Sequence, residues 1–220
     1  MKRINLHTHS LSEDNSIQIK NIFAQDFTAI SPEYFFSVGL HPWHIGKVDV
    51  AECLLNLERA SRHKNMLAVG ECGLDRSEKT GFAVQEKIFQ EQITIAEKYH
   101  KPLIIHNVRA SSDLIKIRKD RKSGIPWILH GYHGNLETTL DLVRHGFYFS
   151  IGESLLKNES KRGLILQIPE NRLFLETDDH EISIEKIYLL AAQILKTDEE
   201  RLAESIFNNF KTLFGDDKLA

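Results

Sequence analysis

Cysteine is scarce in this chain: Cys53 and Cys72 are the only two among 220 residues. Their spacing supplies neither a disulfide framework nor a CxxC metal knuckle, and two isolated thiols suit a reducing compartment. Long apolar runs are also missing. None approaches the roughly 20 residues that a membrane span needs, and the opening MKRINLHTHS turns polar too early for the hydrophobic region of a signal peptide. These absences predict a cytoplasmic protein with no membrane contact. Nor is there an excess of positive charge, because 28 Lys and Arg face 31 Asp and Glu for a formal charge of -3. That balance excludes a dedicated high-affinity nucleic-acid coat, which needs clustered cations. The densest basic run, KIRKDRK at 116–122, reads as a solvated helix end whose cations complement the C-terminal dipole. No internal repeat, low-complexity linker or break in composition marks a boundary, so one domain over residues 1–220 is expected.

What is present is an alternation. With 41% hydrophobic residues the chain can bury one substantial core. Apolar runs of strand length at 3–8, 34–40, 66–71, 103–106, 127–130, 147–151 and 173–176, with a further one at 17–27, alternate with stretches of helical period at 50–62, 82–100, 112–120, 136–145 and 184–195. Repeated βα units of this kind predict an α/β fold, a TIM-type (β/α) barrel. In the second of these helices Val84, Ile88, Phe89, Ile93, Ala96 and Tyr99 form the expected buried stripe, with Gln85, Glu86, Lys87 and Glu91 mostly opposite.

Chemistry-bearing side chains recur where those strands end. In Asn5-Leu6-His7-Thr8-His9, residues two apart share a strand face, so Asn5, His7 and His9 point one way. Two imidazoles on one buried face are costly without a partner cation. Glu71 ends a long apolar run, and a carboxylate there needs positive charge beside it. His106 follows Pro102-Leu103-Ile104-Ile105, His130 follows Trp127-Ile128-Leu129, and Asp178 follows Leu173-Phe174-Leu175-Glu176-Thr177. Any one of these has an ordinary structural explanation, such as a hydrogen-bonded histidine or a helix N-cap. Together, at the strand ends where a parallel barrel gathers its chemistry, they outline a two-metal hydrolase site. Cys72 alternates away from Glu71 and is read as a small buried hydrophobe.

The strings NLHTHS, VGLHPWH, AVGECGLD, KPLIIH, LHGYHG, FSIGES and LFLETD, with the Gln85, Phe89 and Gln92 helix between them, occur in an order similar to that of the TatD-type metal-dependent deoxyribonucleases of the amidohydrolase superfamily. The resemblance runs nearly end to end, finishing at NFKTLF. It implies a (β/α) barrel with two divalent ions, His7, His9 and Asp178 holding one, His106 and His130 the other, and Glu71 bridging. Nitrogen and oxygen donors without thiolate suit Mg, Mn or Zn alike. It further implies DNase activity, phosphodiester hydrolysis of exonucleolytic type by a metal-activated water, with Asp178 taking the water's proton and Glu71 serving both ions. His41 in the GLHP string is the candidate for binding substrate phosphate, with Arg109, His133 and His44 behind it. Trp43 is read either as a stacking surface for a base or as a ring packed under its own turn.

Several departures bear on substrate choice. Asn5 stands where the family usually carries Asp, which removes a charge that would orient a ligand. His130-Gly131-Tyr132-His133-Gly134 keeps the ligand histidine but changes its neighbours. Arg109 lies three residues after His106, where many relatives have a basic residue two after. The segment 10–36 looks too short for the usual first helix and second strand, and the region after Asp178 is abbreviated, so a shortened or distorted barrel is expected. A hydrolase of a small phosphoester or amide on the same centre is the competing reading. One form of it is a phosphoesterase of the polymerase and histidinol phosphatase type, whose opening motif LHTHS also resembles. A non-catalytic scaffold is a third reading, against which stands the retention of all six ligand types. The expected partners are DNA or a small phosphoester, with no obligate protein partner indicated.

Overall fold

The computed structural model describes residues 2–28 and 32–216. Its strands are β1 (Ile4–Thr8), β2 (Ile17–Phe23), β3 (Phe36–Gly39), β4 (Met66–Asp75), β5 (Leu103–Val108), β6 (Trp127–Leu129), β7 (Tyr148–Ile151) and β8 (Leu173–Leu175). Its helices are α1 (Val50–Ser61), α2 (Phe82–Lys98), α3 (Ser111–Arg121), α4 (Leu136–Arg144), α5 (Glu153–Leu156), α6 (Ile184–Leu195) and α7 (Glu199–Phe214). The strands lie in one sheet in chain order, and an isolated parallel bridge between Thr8 and Asp178 returns the end of β8 to β1. This is the topology of a TIM-type (β/α) barrel, the fold class the alternation predicts.

The chain divides into two compact units, Met1–Ile19 with Leu129–Ala220, and Lys20–Ile128. In the first unit, Ile4, Leu6, Phe149, Ile151, Phe174, Ile206 and Phe210 are fully buried. Tyr188 of α6 reaches β1, where its hydroxyl accepts from Ile4 N–H at 3.0 Å and donates to Ile4 O at 3.1 Å. Helix α7 begins on the Asp198 cap and presents Leu202, Ile206, Phe210 and Phe214 at four-residue spacing to the interior. Asn209 of the same face donates to the carbonyls of Glu170 and Leu173, which fixes the entry into β8.

In the second unit, β3 pairs with β4 and β4 with β5, all parallel. Phe89 of α2 meets Trp127 edge-on with centroids 5.7 Å apart. The stripe on α2 differs from its sequence reading. Gln85 is buried and Val84 is half exposed, because the Gln85 amide satisfies backbone groups that end β4: it accepts from Asp75 N–H at 2.9 Å and donates to Asp75 O at 3.0 Å. Gln92 does the same for Leu40, at 2.8 Å and 3.0 Å. Buried amides that pair with strand-end backbone cost little, so hydropathy alone misplaces them.

The basic run ends α3 as expected, with Lys116 paired to Asp120 at 2.9 Å and Arg121 to Glu97 at 2.8 Å. The segment after β1 carries no helix between His9 and Ser16, only a turn in which Asp14 accepts from Ser12 Oγ and Ser16 N–H. The second strand is nevertheless present as β2, so the brevity of this segment removes the helix alone. Both cysteines are free and buried, and burial pushes their thiols up. No helix among the described residues is long and apolar enough to cross a membrane.

Candidate metal centre

The first group of donors belongs to the unit that holds both chain ends. His7 is fully buried on β1 and His9 follows immediately. The backbone beyond β8 clasps this strand, Asp178 N–H donating to His7 O at 3.0 Å and His9 N–H to Asp178 O at 3.1 Å. Asp178 has a left-handed backbone, φ 57°, which Asp and Asn tolerate better than other side-chain-bearing residues. Its Oδ1 lies 3.4 Å from His7 Nε2 and 3.5 Å from His9 Nε2. Burial opposes its ionisation. The imidazoles of His7 and His9, with His130 beyond, more than reverse that and hold the carboxyl well below the usual carboxylate range.

His130 follows β6 and packs on His7 with ring centroids 4.4 Å apart. Its Nδ1 is 3.6 Å from Glu176 Oε1, which accepts Gly131 N–H at 2.5 Å. Glu176 is fully buried, and its Oε2 has no hydrogen-bond partner among the described residues. An acceptor left in that state is what a cation site supplies with a partner. Asn5 is buried. It accepts from Thr177 N–H at 3.0 Å and donates to Thr177 Oγ1 at 2.9 Å, holding the residue that precedes Asp178.

The second group belongs to the other unit and is built by a bulge. Between the pairs Val69 with Leu103 and Cys72 with Ile105, Gly70 and Glu71 face the single residue Ile104. Beyond it Glu71, Gly73 and Asp75 share a face at period two. Gly73 is the residue opposite His106. A Cβ on Gly73 would lie 2.1 Å from His106 O, and one on Gly70 2.5 Å from Ile104 O. Glycine is therefore required for the close approach of β4 to β5. With no side chain at 73, the His106 ring lies between two carboxylates, Nδ1 3.1 Å from Glu71 Oε1 and Nε2 3.2 Å from Asp75 Oδ2. His41 brings its Nε2 to 2.9 Å from the same Glu71 oxygen. Asn21 of β2 accepts from Glu71 N–H at 2.7 Å. Burial works against ionisation of Asp75, but hydrogen bonds from Trp43, Ser77 and His106 overcome it and hold the group low.

Within each group the donors can close on a cation. The donor atoms of His7, His9 and Asp178 lie within 4.8 Å of one another, and so do those of His130, Glu176 and Asp178, and those of His41, Glu71 and His106. The set is imidazole nitrogen and carboxylate oxygen throughout, with no thiolate, which fits Mg, Mn or Zn. His41 thus stands among the candidate ligands rather than apart from them. Trp43 does not pack under its own turn: the indole is half exposed and donates to Asp75 Oδ2 at 2.8 Å. Arg109 is exposed just after β5 with φ 54°, and His133 is exposed with Nδ1 2.7 Å from Gly131 O. His44 is half-buried, its Nδ1 2.9 Å from Gln25 Nε2. Asp75 and Glu176 escaped the sequence reading although both lie inside its motif strings. The signal was the period, since Asp75 repeats the face of Glu71 and Glu176 is a charged residue at the end of a fully buried strand.

Comparison with known proteins bears on the family and the fold. The family described as TatD related DNase matches residues 6–215. The chain is 32% identical over 152 residues to a Bacillus subtilis protein described as the uncharacterized metal-dependent hydrolase YabD, covering 66% of this chain and 60% of that protein. It is 30% identical over 131 residues to the deoxyribonuclease Tat-D of Schizosaccharomyces pombe, covering 58% of this chain and 41% of that one. The chain thus spans less than two thirds of the length of either. Among solved structures, YjjV, a TatD homolog from Escherichia coli K12, superposes with a TM-score of 0.84 at 22% identity, over 96% of this chain and 97% of that chain, a likeness of fold. With the match running from the first buried strand to the last helix, the chain belongs to the family of TatD-related DNases.

Proposed function

We propose that this chain is a metal-dependent hydrolase that cleaves the phosphodiester bonds of DNA, acting from an end. In the assignment that the family resemblance implies, His7, His9 and Asp178 would hold one divalent ion, His106 and His130 the other, and Glu71 would serve both. The observation that carries the reading is the convergence of two imidazole Nε2 atoms on Asp178 Oδ1, at 3.4 and 3.5 Å, in a member of a DNase family. Two divalent ions supply charge to offset that growing on the phosphoryl oxygens and lower the pKa of water toward about 7. Asp178, held ionised by its neighbours, takes the proton of the attacking water. His41, Arg109 and His133 are the residues assigned to the substrate phosphate. No nucleophilic Ser or Cys is needed, in keeping with a Cys72 thiol that burial keeps protonated.

A second reading, hydrolysis of a small phosphoester, is favoured by the net charge of -3 and by the missing helix after β1. The test compares apoprotein with protein loaded with Mg, Mn or Zn on three substrates: end-labelled single-stranded DNA, an aryl phosphodiester and a phosphomonoester. Metal-dependent shortening of the DNA is the expected result. Turnover of the small esters alone supports the second reading, and no turnover by folded, loaded protein refutes both.

A further inference from the structure

Thr177 lies two residues beyond β8, and its N–H goes to a side chain rather than to a neighbouring strand: Asn5 Oδ1 accepts it at 3.0 Å. A backbone N–H can only donate, so this bond fixes which end of the Asn5 amide is oxygen. The other end is the NH2 group, and it donates to Thr177 Oγ1 at 2.9 Å. With that oxygen accepting, the Thr177 hydroxyl hydrogen is free to turn away from Asn5, and it goes to Thr8 Oγ1 at 3.2 Å. The Thr8 hydroxyl donates in turn to Ser10 O at 2.8 Å, an atom that can only accept. The chain of bonds therefore runs in one direction, set by a backbone N–H at its start and a backbone carbonyl at its finish.

Asn5, Thr8 and Thr177 are all buried, and they enclose the first group of donors. Asn5 and Thr8 flank His7 on β1, while Thr177 immediately precedes Asp178. Asp178 has a left-handed backbone, φ 57°, which a residue with a side chain keeps only where its surroundings over-determine it. Its own N–H and carbonyl are tied to His7 and His9, and Asn5 ties the residue before it. The carboxylate is thereby held with Oδ1 3.4 Å from His7 Nε2 and 3.5 Å from His9 Nε2.

We infer that Asn5 and Thr177 are positioning residues that set the Asp178 carboxylate against His7 and His9 through this hydrogen-bonded chain, and so set the affinity of that group for a divalent cation. This deepens the hydrolase reading and rests on its assignment of His7, His9 and Asp178 to one ion. Hydrogen bonds that stand behind metal ligands typically contribute about 10- to 100-fold in affinity.

The test uses the full chain and zinc chloride, with two readouts. One is zinc affinity, followed at the ring proton signals of His9. The other is hydrogen exchange, in the metal-free protein, of the Asp178 and His9 amides that clasp β1 to the end of β8. Asn5→Ala removes both amide bonds, and Thr177→Val keeps the N–H but removes the hydroxyl. Each should lower zinc affinity about 10- to 100-fold and speed exchange of the two amides about 5- to 30-fold. Thr177→Ser restores the hydroxyl and should match the unmutated protein. Tyr188→Phe removes a different buried tie to β1, at Ile4, and should lower stability while zinc affinity holds, which separates positioning from general loosening. Zinc affinity unchanged in both Asn5→Ala and Thr177→Val overturns the inference, as does an equal fall in Thr177→Ser or in Tyr188→Phe. Should Asn5→Ala fail to fold, Thr177→Val set against Thr177→Ser decides. If zinc leaves the His9 signals of the unmutated protein unmoved, the ion assignment falls and exchange alone decides whether Asn5 and Thr177 position Asp178, faster exchange supporting it and unchanged exchange overturning it. The expected losses of zinc affinity in a protein that cleaves no phosphodiester would leave this inference standing and remove the hydrolase reading instead.

Discussion

Asp178 joins a left-handed backbone to a carboxylate gripped by two imidazoles. Asn adopts the same backbone as readily as Asp, so Asp178→Asn should keep the fold while losing hydrolysis about 10²- to 10⁴-fold, the usual share of a general base. Thermal unfolding close to that of the unmutated protein beside a collapsed rate on a phosphodiester would support this, and full activity would remove Asp178 as the proton acceptor. Glu71→Ala should lose at least one of two bound ions by elemental analysis, and two ions retained per chain would contradict the shared carboxylate. Six residues proposed as ligands were visible in the sequence because an imidazole or carboxylate at the end of an apolar run stands out against hydrophobic neighbours. Asp75, Glu176 and Gln85 were not. Their value lies in bonds to backbone and to the rings of His106 and His130, made across strands that only folding brings together, so hydropathy assigns them to the surface.

At the scale of elements, the bulge in β4 matters most, because it sets Glu71 and Asp75 on either side of the His106 ring. Gly73→Ala puts a methyl group against the His106 carbonyl and should cost about 3 kcal/mol or more in chemical denaturation, combining a clash with a backbone of φ 143°. A loss below 1 kcal/mol would mean that the two strands separate easily. Tyr188→Phe leaves the buried N–H and carbonyl of Ile4 without their common partner and should cost about 1–3 kcal/mol. Strand positions were legible from apolar runs, and helix α6 from its period, at the residues where it forms. Helix α7 carried an equally clear signal in Leu202, Ile206, Phe210 and Phe214, with Asp198 as its cap. The sequence reading leaves it unassigned, because the NFKTLF string covers only the last turns of the helix. The bulge was illegible, since one extra residue in a strand leaves no mark on hydropathy.

For the molecule as a whole, the order of β1 to β8 and the return of β8 to β1 make the strand ends the natural place for chemistry. Alternation of apolar runs with helical period was enough to read that order, because each βα unit writes the same pattern. It could not show that the connection after β1 lacks a helix while keeping its strand. The central claim is that the imidazoles and carboxylates of these strand ends bind divalent ions. Its most direct measurement is anomalous diffraction from crystals grown with excess manganese. Two peaks are expected, one contacted by His7, His9 and Asp178 and one by His106 and Glu71. Well-ordered side chains with no anomalous density among them would contradict it.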